Sequence, residues 1–493
     1  MSQKATNVII LTIAQGVNIV LGFLFTPYLV RTLDKNIYGT FSQVNLVADV
    51  VSLVFSIAII QIAMMLFSNT NKRFEDSIKT VILFVLYGGI LGAIFCIIFS
   101  FFAPSIFKNE LLGMWLKLFS FSIIGSKLNL VLNQALIRIN KTKFLMTLSV
   151  CSNFTKLSLA LVALKVFQSV EMLLIVYALE PIISSIIQIA LLKKLNLLTG
   201  RFDRMILKEI WQIGIPLYIV ELLGNSYTYI AGFIISGYFG ENEYAIYKNG
   251  SMELPLIGTI YATISTIMMA DMTMHIQSKN YLAVAESKRK IITTTAVVIF
   301  PLALFFIFFN KEFITIYFSE KYIESSKIFI VFCLALLIRI QNYSDILIIL
   351  RKSKYVLYSF LVFMIMNIIL NIFLSKTLGI LGCAIATISS VYILSFMQLH
   401  LTIKSLKVTY NQYIDFKSLF KILVITLVAI CIIRMGLDLI TLPAIPMFLL
   451  GGILTLPLLY FYFIKSKFID IQLYENLFNK IPIFGKHLYK ILQ

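Results

Sequence analysis

Runs of about 20 apolar residues recur along this chain from residue 6 to residue 464, and only short polar segments separate them. One such run can cross a hydrocarbon core of about 30 Å as an α-helix. A backbone in lipid must satisfy its own hydrogen bonds, and a helix does this within a single run. The composition agrees, because 59% of the 493 residues are hydrophobic and only 13% are charged. The sequence therefore predicts an all-α, polytopic membrane protein.

Fourteen runs are long and apolar enough to be membrane spans. We predict spans at residues 6–31, 40–66, 80–104, 112–137, 144–166, 170–192, 209–237, 252–274, 291–310, 327–350, 355–375, 378–400, 418–436 and 442–464. The first run follows a five-residue polar head without a small-residue cleavage site, so we expect it to be retained as a helix.

Lysine and arginine set the orientation of the spans, because they concentrate in cytoplasmic loops. With the N-terminus inside, most of them fall in inner segments, chiefly 67–79, 138–143, 193–208, 275–290 and 351–354. Both termini are then cytoplasmic. Basic inner loops that face anionic lipid headgroups also explain the net charge of +19, so we expect no nucleic-acid partner.

The chain also repeats itself. A shift of 206 residues aligns Tyr38 with Tyr244, and "NKTKF" (140–144) matches "RKSKY" (351–355) at the same point of each half. Two halves of six spans enter the membrane from the same side, which is the pattern of a parallel repeat with its binding site between the halves. We predict six-helix lobes at 1–200 and 201–410, two additional transmembrane helices at 411–465 and a cytoplasmic amphipathic tail at 466–493.

Enzyme chemistry finds little support in the sequence. The histidines His275, His400 and His487 lie at or beyond cytoplasmic span ends, and no Ser–His pairing or glycine-rich phosphate loop occurs. All five cysteines fall inside predicted spans, where we expect packing rather than disulfides or zinc. We therefore expect a transporter that is not an enzyme and that holds no metal or cofactor.

Several polar side chains lie inside the spans. A charge near the bilayer centre costs about 2.5–3.5 kcal/mol on insertion scales, so such residues should face a partner or water. Our candidates for substrate binding are Lys127, Arg339, Lys156, Gln15, Asn18 and Asn225. Our candidates for ion coupling are Asp49, Glu221 and Asp345, because a carboxyl group in an apolar site can take up and release a proton near neutral pH. We expect spans one, two, seven and eight to enclose a cavity reached by Gln15, Asn18, Asp49, Glu221 and Asn225.

Two interpretations of the buried cations remain open. One residue of slack in the fourth span of the repeat sets Lys127 opposite Arg339. Both could line the cavity and hold an anion, the guanidinium as a bidentate fork and the ammonium as a point charge. Alternatively, each is paired within its own half and fixes helix packing. The pairs would be Lys127 or Lys156 with Glu180, and Arg339 with Glu221 or Asp345.

Two stretches carry a resemblance to a known family. They contain Gln15, Gly16, Asn18, Pro27, Arg31, Leu33, Tyr38 and Gly39 at the first span, and Asn367, Asn371, Gly379, Gly382, Ala384, Ala386 and Thr387 in residues 367–390. Together with the span number and the repeat, they resemble the polysaccharide transporter family of the multidrug/oligosaccharidyl-lipid/polysaccharide (MOP) exporter superfamily, the Wzx-type flippases. Asp34 departs from the family, which usually has glycine there, and the first half lacks the Gly379–Gly382 pattern.

This resemblance implies a flippase in the bacterial inner membrane. It would move an undecaprenyl-pyrophosphate-linked oligosaccharide, such as an O-antigen unit of lipopolysaccharide or a capsule unit, to the outer leaflet by alternating access. A proton or sodium ion would drive it, and its partners would be membrane lipids, a polysaccharide polymerase and a chain-length regulator. The last two spans could form a groove for the polyprenyl tail or only stabilise the second half.

Two rival functions remain. An ion-coupled multidrug antiporter of the same superfamily would have twelve spans and an acidic cavity, whereas the spans here contain Lys127, Lys156 and Arg339. A lipid scramblase or an assembly scaffold without coupled transport is the third class.

Overall fold

A computed structural model describes residues 3–55, 59–68, 74–254, 272–466 and 468. The regular elements in these ranges are helices, and no β-strand occurs among them. The chain divides into two compact units, Met1–Lys248 and Asn249–Gln493.

The first unit is built from ten helices among the described residues. They are α1 (Gln3–Thr32), α2 (Lys35–Val54), α3 (Ile59–Ser68), α4 (Phe74–Phe107), α5 (Glu110–Phe119), α6 (Ser122–Arg138), α7 (Thr142–Lys165), α8 (Val170–Lys194), α9 (Arg204–Tyr238) and α10 (Glu241–Gly250), which ends at the boundary. Helix α6 packs against α4 and α8, and α7 packs against α1 and α8. The buried side chains of Val131, Leu132 and Leu136 on α6 meet Val85 of α4 and Ile62 of α3 in one apolar cluster.

In the second unit, residues 272–277 are helical. The following helices are α11 (Tyr281–Phe308), α12 (Asn310–Tyr317), α13 (Ser325–Leu336), α14 (Asp345–Ile349), α15 (Ser353–Leu406), α16 (Tyr410–Tyr413), α17 (Phe416–Asp438) and α18 (Ala444–Lys465), with a 3₁₀ turn at Glu320–Tyr322. Helix α11 packs against α13, α17 and α18. The predicted additional helices are therefore part of this unit's core. Phe305 of α11 and Phe448 of α18 have ring centroids 5.1 Å apart.

The described residues contain nine helices long and apolar enough to cross a membrane, or ten if a bent pair counts as one span. The prediction of an all-α, multi-pass membrane protein is confirmed. The count of fourteen and the division at residues 200, 410 and 465 stay predictions. Most of the eighth predicted span (255–271) and nearly all of the tail lie outside the described residues.

Some predicted spans depart from a single straight helix. The fourth is a bent pair, α5 and α6, with an angle of 41° between them. The tenth, 327–350, is not a continuous helix, because α13 ends at Leu336, α14 begins at Asp345 and residues 337–344 between them form turns and bends. We call residues 337–344 the unwound segment. Within α15, Gly379 has φ of +60°, which glycine adopts without steric cost, and this break divides the eleventh predicted span from the twelfth.

One predicted cytoplasmic segment contains a buried lysine. The predicted cytoplasmic segment 275–290, which contains "SKRK", is helical from Tyr281, and Lys288 within it has no exposed surface. Lysine is normally among the most exposed residue types, so a fully buried one requires a partner.

We predict that a side chain at Gly125 separates α6 from α8. A Cβ there would lie 2.5 Å from the backbone nitrogen of Ile182, which cannot move as a side chain can. Gly125→Ala should therefore destabilise the protein by about 1–3 kcal/mol, the usual cost of overpacking. The measurement is the thermal unfolding of the purified protein. Gly22→Ala, where a Cβ would meet nothing within 4 Å, is the matched control. Equal stability of the two variants would contradict this packing.

Candidate functional site

A cavity of about 400 Å³ opens in the second unit beside the unwound segment. Its wall combines apolar side chains of α13, such as Phe329 and Leu336, with polar groups of the unwound segment and of α15. The polar lining residues are Glu253, Arg339, Gln341, Asn342, Tyr343, Ser344, Ser395 and Gln398. We call it the Arg339 cavity. It lies in the size range of small-molecule sites, about 300–1,000 Å³, which combine apolar walls with few polar groups.

Arg339 is partly exposed in this cavity. Its Nη1 lies 2.9 Å from Oε1 of Glu253, and the two side chains are 38% and 77% exposed. An ion pair between exposed groups contributes only about 0–1 kcal/mol. Replacing Glu253 by another anion would therefore cost little.

The unwound segment has partners for its backbone. The Tyr343 hydroxyl donates to the carbonyl oxygen of Ile338 at 2.7 Å, and the Thr402 hydroxyl donates to that of Tyr343 at 3.4 Å. The amide N–H of Ser344 donates to Oδ1 of Asn342 at 3.0 Å. Buried backbone groups need such partners when helical hydrogen bonds are absent. Side chains therefore take over part of the hydrogen bonding that a continuous helix would supply.

Lys288 and Asp345 form a buried ion pair next to this segment. Lys288 Nζ lies 2.5 Å from Oδ2 of Asp345, and the side chains are 0% and 3% exposed. The same ammonium donates to the carbonyl oxygen of Asn342 at 3.1 Å. Asp345 therefore pairs with Lys288, and its predicted pairing with Arg339 is wrong.

Sequence reasoning missed Lys288 because three basic residues in a row resemble a solvated loop. A usable signal exists in the spacing, since Val284, Lys288 and Ile292 follow one another at intervals of four and all are buried. Residues at this spacing share one helix face. Glu253 was also missed, because it lies at the edge of the eighth predicted span.

Lys127 lies in a different environment from Arg339. It has no exposed surface, and its Nζ donates to the carbonyl oxygen of Ser52 near the end of α2. The charge of Glu221 on α9 acts on it, whereas the sequence had offered Glu221 as a partner for Arg339. Oε2 of Glu221 is buried and accepts no hydrogen bond from the described residues. Lys127 thus links α6 to α2 by a hydrogen bond, and the charge of Glu221 on α9 favours its ammonium form.

Lys156 and Glu180 line a second cavity, of about 340 Å³, between α7 and α8. The ammonium of Lys156 lies 5.3 Å from the centroid of the Tyr177 ring. Such a cation–π contact is worth about 0.5–1 kcal/mol at exposed sites. The remaining lining is mainly apolar, including Leu159 and Ile183.

The other predicted site residues are spread over the first unit. Gln15, Asp49 and Asn225 are exposed on α1, α2 and α9. Asn18 is half-buried, and its Nδ2 donates to the Ser149 hydroxyl of α7 at 2.7 Å. In this structure Asn18 therefore links α1 to α7. The cavity predicted between spans one, two, seven and eight stays a prediction.

We predict that small reagents reach the Arg339 cavity. Ser344 lines it, whereas Ser359 of the same unit is fully buried and accepts a hydrogen bond from Gln398. In a background whose five native cysteines are replaced by alanine, Ser344→Cys should react with an anionic methanethiosulfonate at least several-fold faster than Ser359→Cys. Mass spectrometry of the labelled protein gives the rates. Equal labelling of the two cysteines would show that the cavity is closed to solvent.

Comparison with known proteins assigns this chain to a family. Residues 28–327 match the family model described as "Polysaccharide biosynthesis protein". A search of curated protein sequences gave no match. Among solved structures, the lipid II flippase MurJ in an inward closed conformation aligns with a TM-score of 0.70 and 18% identity, over 95% of this chain and 99% of that chain. An inward-facing multidrug resistance MATE transporter of the MOP superfamily aligns with a TM-score of 0.63 and 13% identity, over 81% and 99%.

A MOP superfamily transporter from Pyrococcus furiosus aligns with a TM-score of 0.54 and 13% identity, over 83% of this chain and 96% of that chain. All three structures align with almost their full length, which shows a common fold at low identity. The family match covers more than half of the chain. The chain belongs to the polysaccharide biosynthesis protein family, and its fold is that of the MurJ flippase and the MATE transporters.

Proposed function

We propose that this protein is a flippase for a lipid-linked glycan. It moves an undecaprenyl-pyrophosphate-linked oligosaccharide, such as an O-antigen or capsule unit, from the cytoplasmic to the outer leaflet of the bacterial inner membrane by alternating access. The family match and the fold shared with a lipid II flippase support this function. The observation that carries it is the partly exposed guanidinium of Arg339 on a cavity wall.

A lipid-linked glycan presents two problems to a membrane. Its sugar and pyrophosphate cannot cross hydrocarbon without polar partners, whereas its polyprenyl chain can stay in lipid. A cavity with a cation and several neutral hydrogen-bonding groups solves the first problem. Arginine suits a pyrophosphate because its planar fork can donate two parallel hydrogen bonds to phosphate oxygens. A cationic drug would gain nothing from the same side chain.

Lys127 and Lys156 are the further cations of this proposal, and Gln15, Asn18 and Asn225 are its amide contacts to sugar hydroxyls. Lys156 already lines a cavity. Lys127 would have to leave the Ser52 carbonyl to touch a ligand. The geometry therefore supports Arg339 more strongly than its counterpart in the repeat.

We predict that Arg339→Ala abolishes glycan export while the amount of protein in the membrane stays normal. Arg339→Lys keeps the charge but loses the fork, so export should fall on the order of ten- to hundredfold, which corresponds to about 1.5–3 kcal/mol for a charged hydrogen bond. Surface glycan and membrane abundance are measured in the same cells. Arg289→Ala is the matched control, because this arginine also forms an ion pair in the second unit, with Asp415 at 3.0 Å.

Packing alone would give a different result. Arg339→Ala would lower abundance by removing the apolar stem of the side chain, and Arg339→Met, which keeps such a stem without the charge, would restore both abundance and export. That outcome, or full export by a stable Arg339→Ala protein, would contradict the role of Arg339 in holding the substrate.

Transport against a gradient needs a coupled ion, and we propose a proton or sodium ion bound at Asp49 and Glu221. The buried Oε2 of Glu221 accepts no hydrogen bond from the described part of the chain, so it can bind a proton or a cation. Asp49 is exposed on α2, and the positive charge of Lys248 favours its carboxylate form. Asp345 is the third candidate, but its oxygen is engaged with Lys288.

We predict that Asp49→Asn and Glu221→Gln change how export depends on the ion gradient. The neutral amides keep the shape of the side chains but cannot be protonated, so export should no longer follow the imposed gradient. The assay is glycolipid translocation in proteoliposomes under separate proton and sodium gradients. Glu110→Gln, an exposed carboxylate at the start of α5, is the control. An unchanged gradient response in both variants would show that neither residue couples the ion.

A further inference from the structure

The unwound segment interrupts the tenth predicted span. The sequence there contains no residue type that breaks a helix by its own backbone geometry. Helices usually break at proline, at glycine or where another side chain enters the hydrogen-bond ladder. Residues 337–350, "LIRIQNYSDILIIL", contain neither proline nor glycine. Inserted side chains are a further cause of such a break, and Lys288 enters the segment from α11, beside the hydroxyls of Tyr343 and Thr402 that also donate to its carbonyl oxygens.

Lys288 contacts the C-terminal end of the break. Its ammonium donates to the carbonyl oxygen of Asn342 at 3.1 Å and pairs with Asp345 at 2.5 Å. The other carboxylate oxygen of Asp345 accepts the backbone N–H of Ile346 at 2.7 Å, at the first turn of α14. One buried ammonium thus donates a hydrogen bond to a carbonyl of the unwound segment and forms an ion pair with the residue that begins the next helix.

Stability alone does not explain this pair. Burying two charges costs several kcal/mol each, and apolar replacements of similar volume are often neutral or stabilising. A buried pair is therefore weak evidence for stability, and a role in selecting one conformation is the alternative. Here the conformation at stake is that of the unwound segment, which carries Arg339. Rewinding by one residue would rotate the following positions by about 100° about the helix axis.

We propose that Lys288 and Asp345 act as a clamp that holds residues 337–344 out of the helical conformation and so keeps Arg339 at the cavity. Lys288 is a positioning residue, since it touches the segment and not the substrate. The role in transport rests on the proposed function, whereas the effect on the segment does not.

The test compares four proteins: Lys288→Met, Asp345→Leu, the double variant Lys288→Met/Asp345→Leu, and the control Arg289→Met/Asp415→Asn. The control removes a partly exposed ion pair whose arginine is adjacent to Lys288 in sequence. The readouts are membrane abundance, glycan export, and hydrogen–deuterium exchange of the backbone amides of residues 337–346 in the purified full-length protein.

Each single variant should lower abundance, because it leaves one buried charge without its partner. The double variant should restore abundance, yet its export should stay at least tenfold below that of the native protein. Within this range, the amides of residues 340–346 should exchange more slowly, because rewinding gives them helical hydrogen bonds, whereas those of residues 337–339 already donate to the carbonyl oxygens of Leu334 and Ala335. The control should match the native protein in all three readouts.

Normal export by the double variant would overturn the positioning role, and unchanged exchange at 337–346 would overturn the clamp. A failure of the proposed function would be seen in a different measurement, because Arg339→Ala would then export normally. The hydrogen–deuterium exchange result would still decide whether the clamp exists.

Discussion

A polar group within hydrocarbon needs a partner, because leaving it without one costs several kcal/mol. The second unit meets this constraint at the unwound segment, where carbonyl oxygens that no longer lie in a helix accept hydrogen bonds from Tyr343, Thr402 and Lys288. These contacts lie between the end of α13 and the start of α14, in the segment that also carries Arg339 on the cavity wall.

The all-α fold, the multi-pass character and the family could be predicted from the sequence, because apolar runs and short motifs are local information. An apolar run of about 20 residues determines its own helix, whichever helices surround it. The unwound segment could not be predicted in this way, since residues 337–344 read as an ordinary part of an apolar span. Its cause lies about fifty residues away, on α11. Lys288 was hidden for a related reason, because its neighbours Arg289 and Lys290 made it look like part of a loop.

The internal repeat had a similar limit. It set Lys127 opposite Arg339, but the structure gives them different environments. Lys127 is fully buried against Ser52 on a regular helix, and Arg339 is partly exposed in a break. A repeat preserves the order of spans along the backbone. The partners of an individual side chain depend on its neighbours in its own half, and these have diverged. Matching positions in a repeat therefore do not imply matching roles.

Two ion pairs in the second unit differ in how readily their partners can be exchanged. Lys288 and Asp345 are 0% and 3% exposed, so separating them would leave charges without water or partner. Arg339 and Glu253 are 38% and 77% exposed, so water can solvate each when the pair opens. The buried pair suits a fixed element of the fold. The exposed pair suits a site that must release one anion to receive another, because a carrier whose cation were permanently paired could not bind its cargo. Exposure, more than charge, thus separates the residue that would bind the substrate from the residues that would hold it in place.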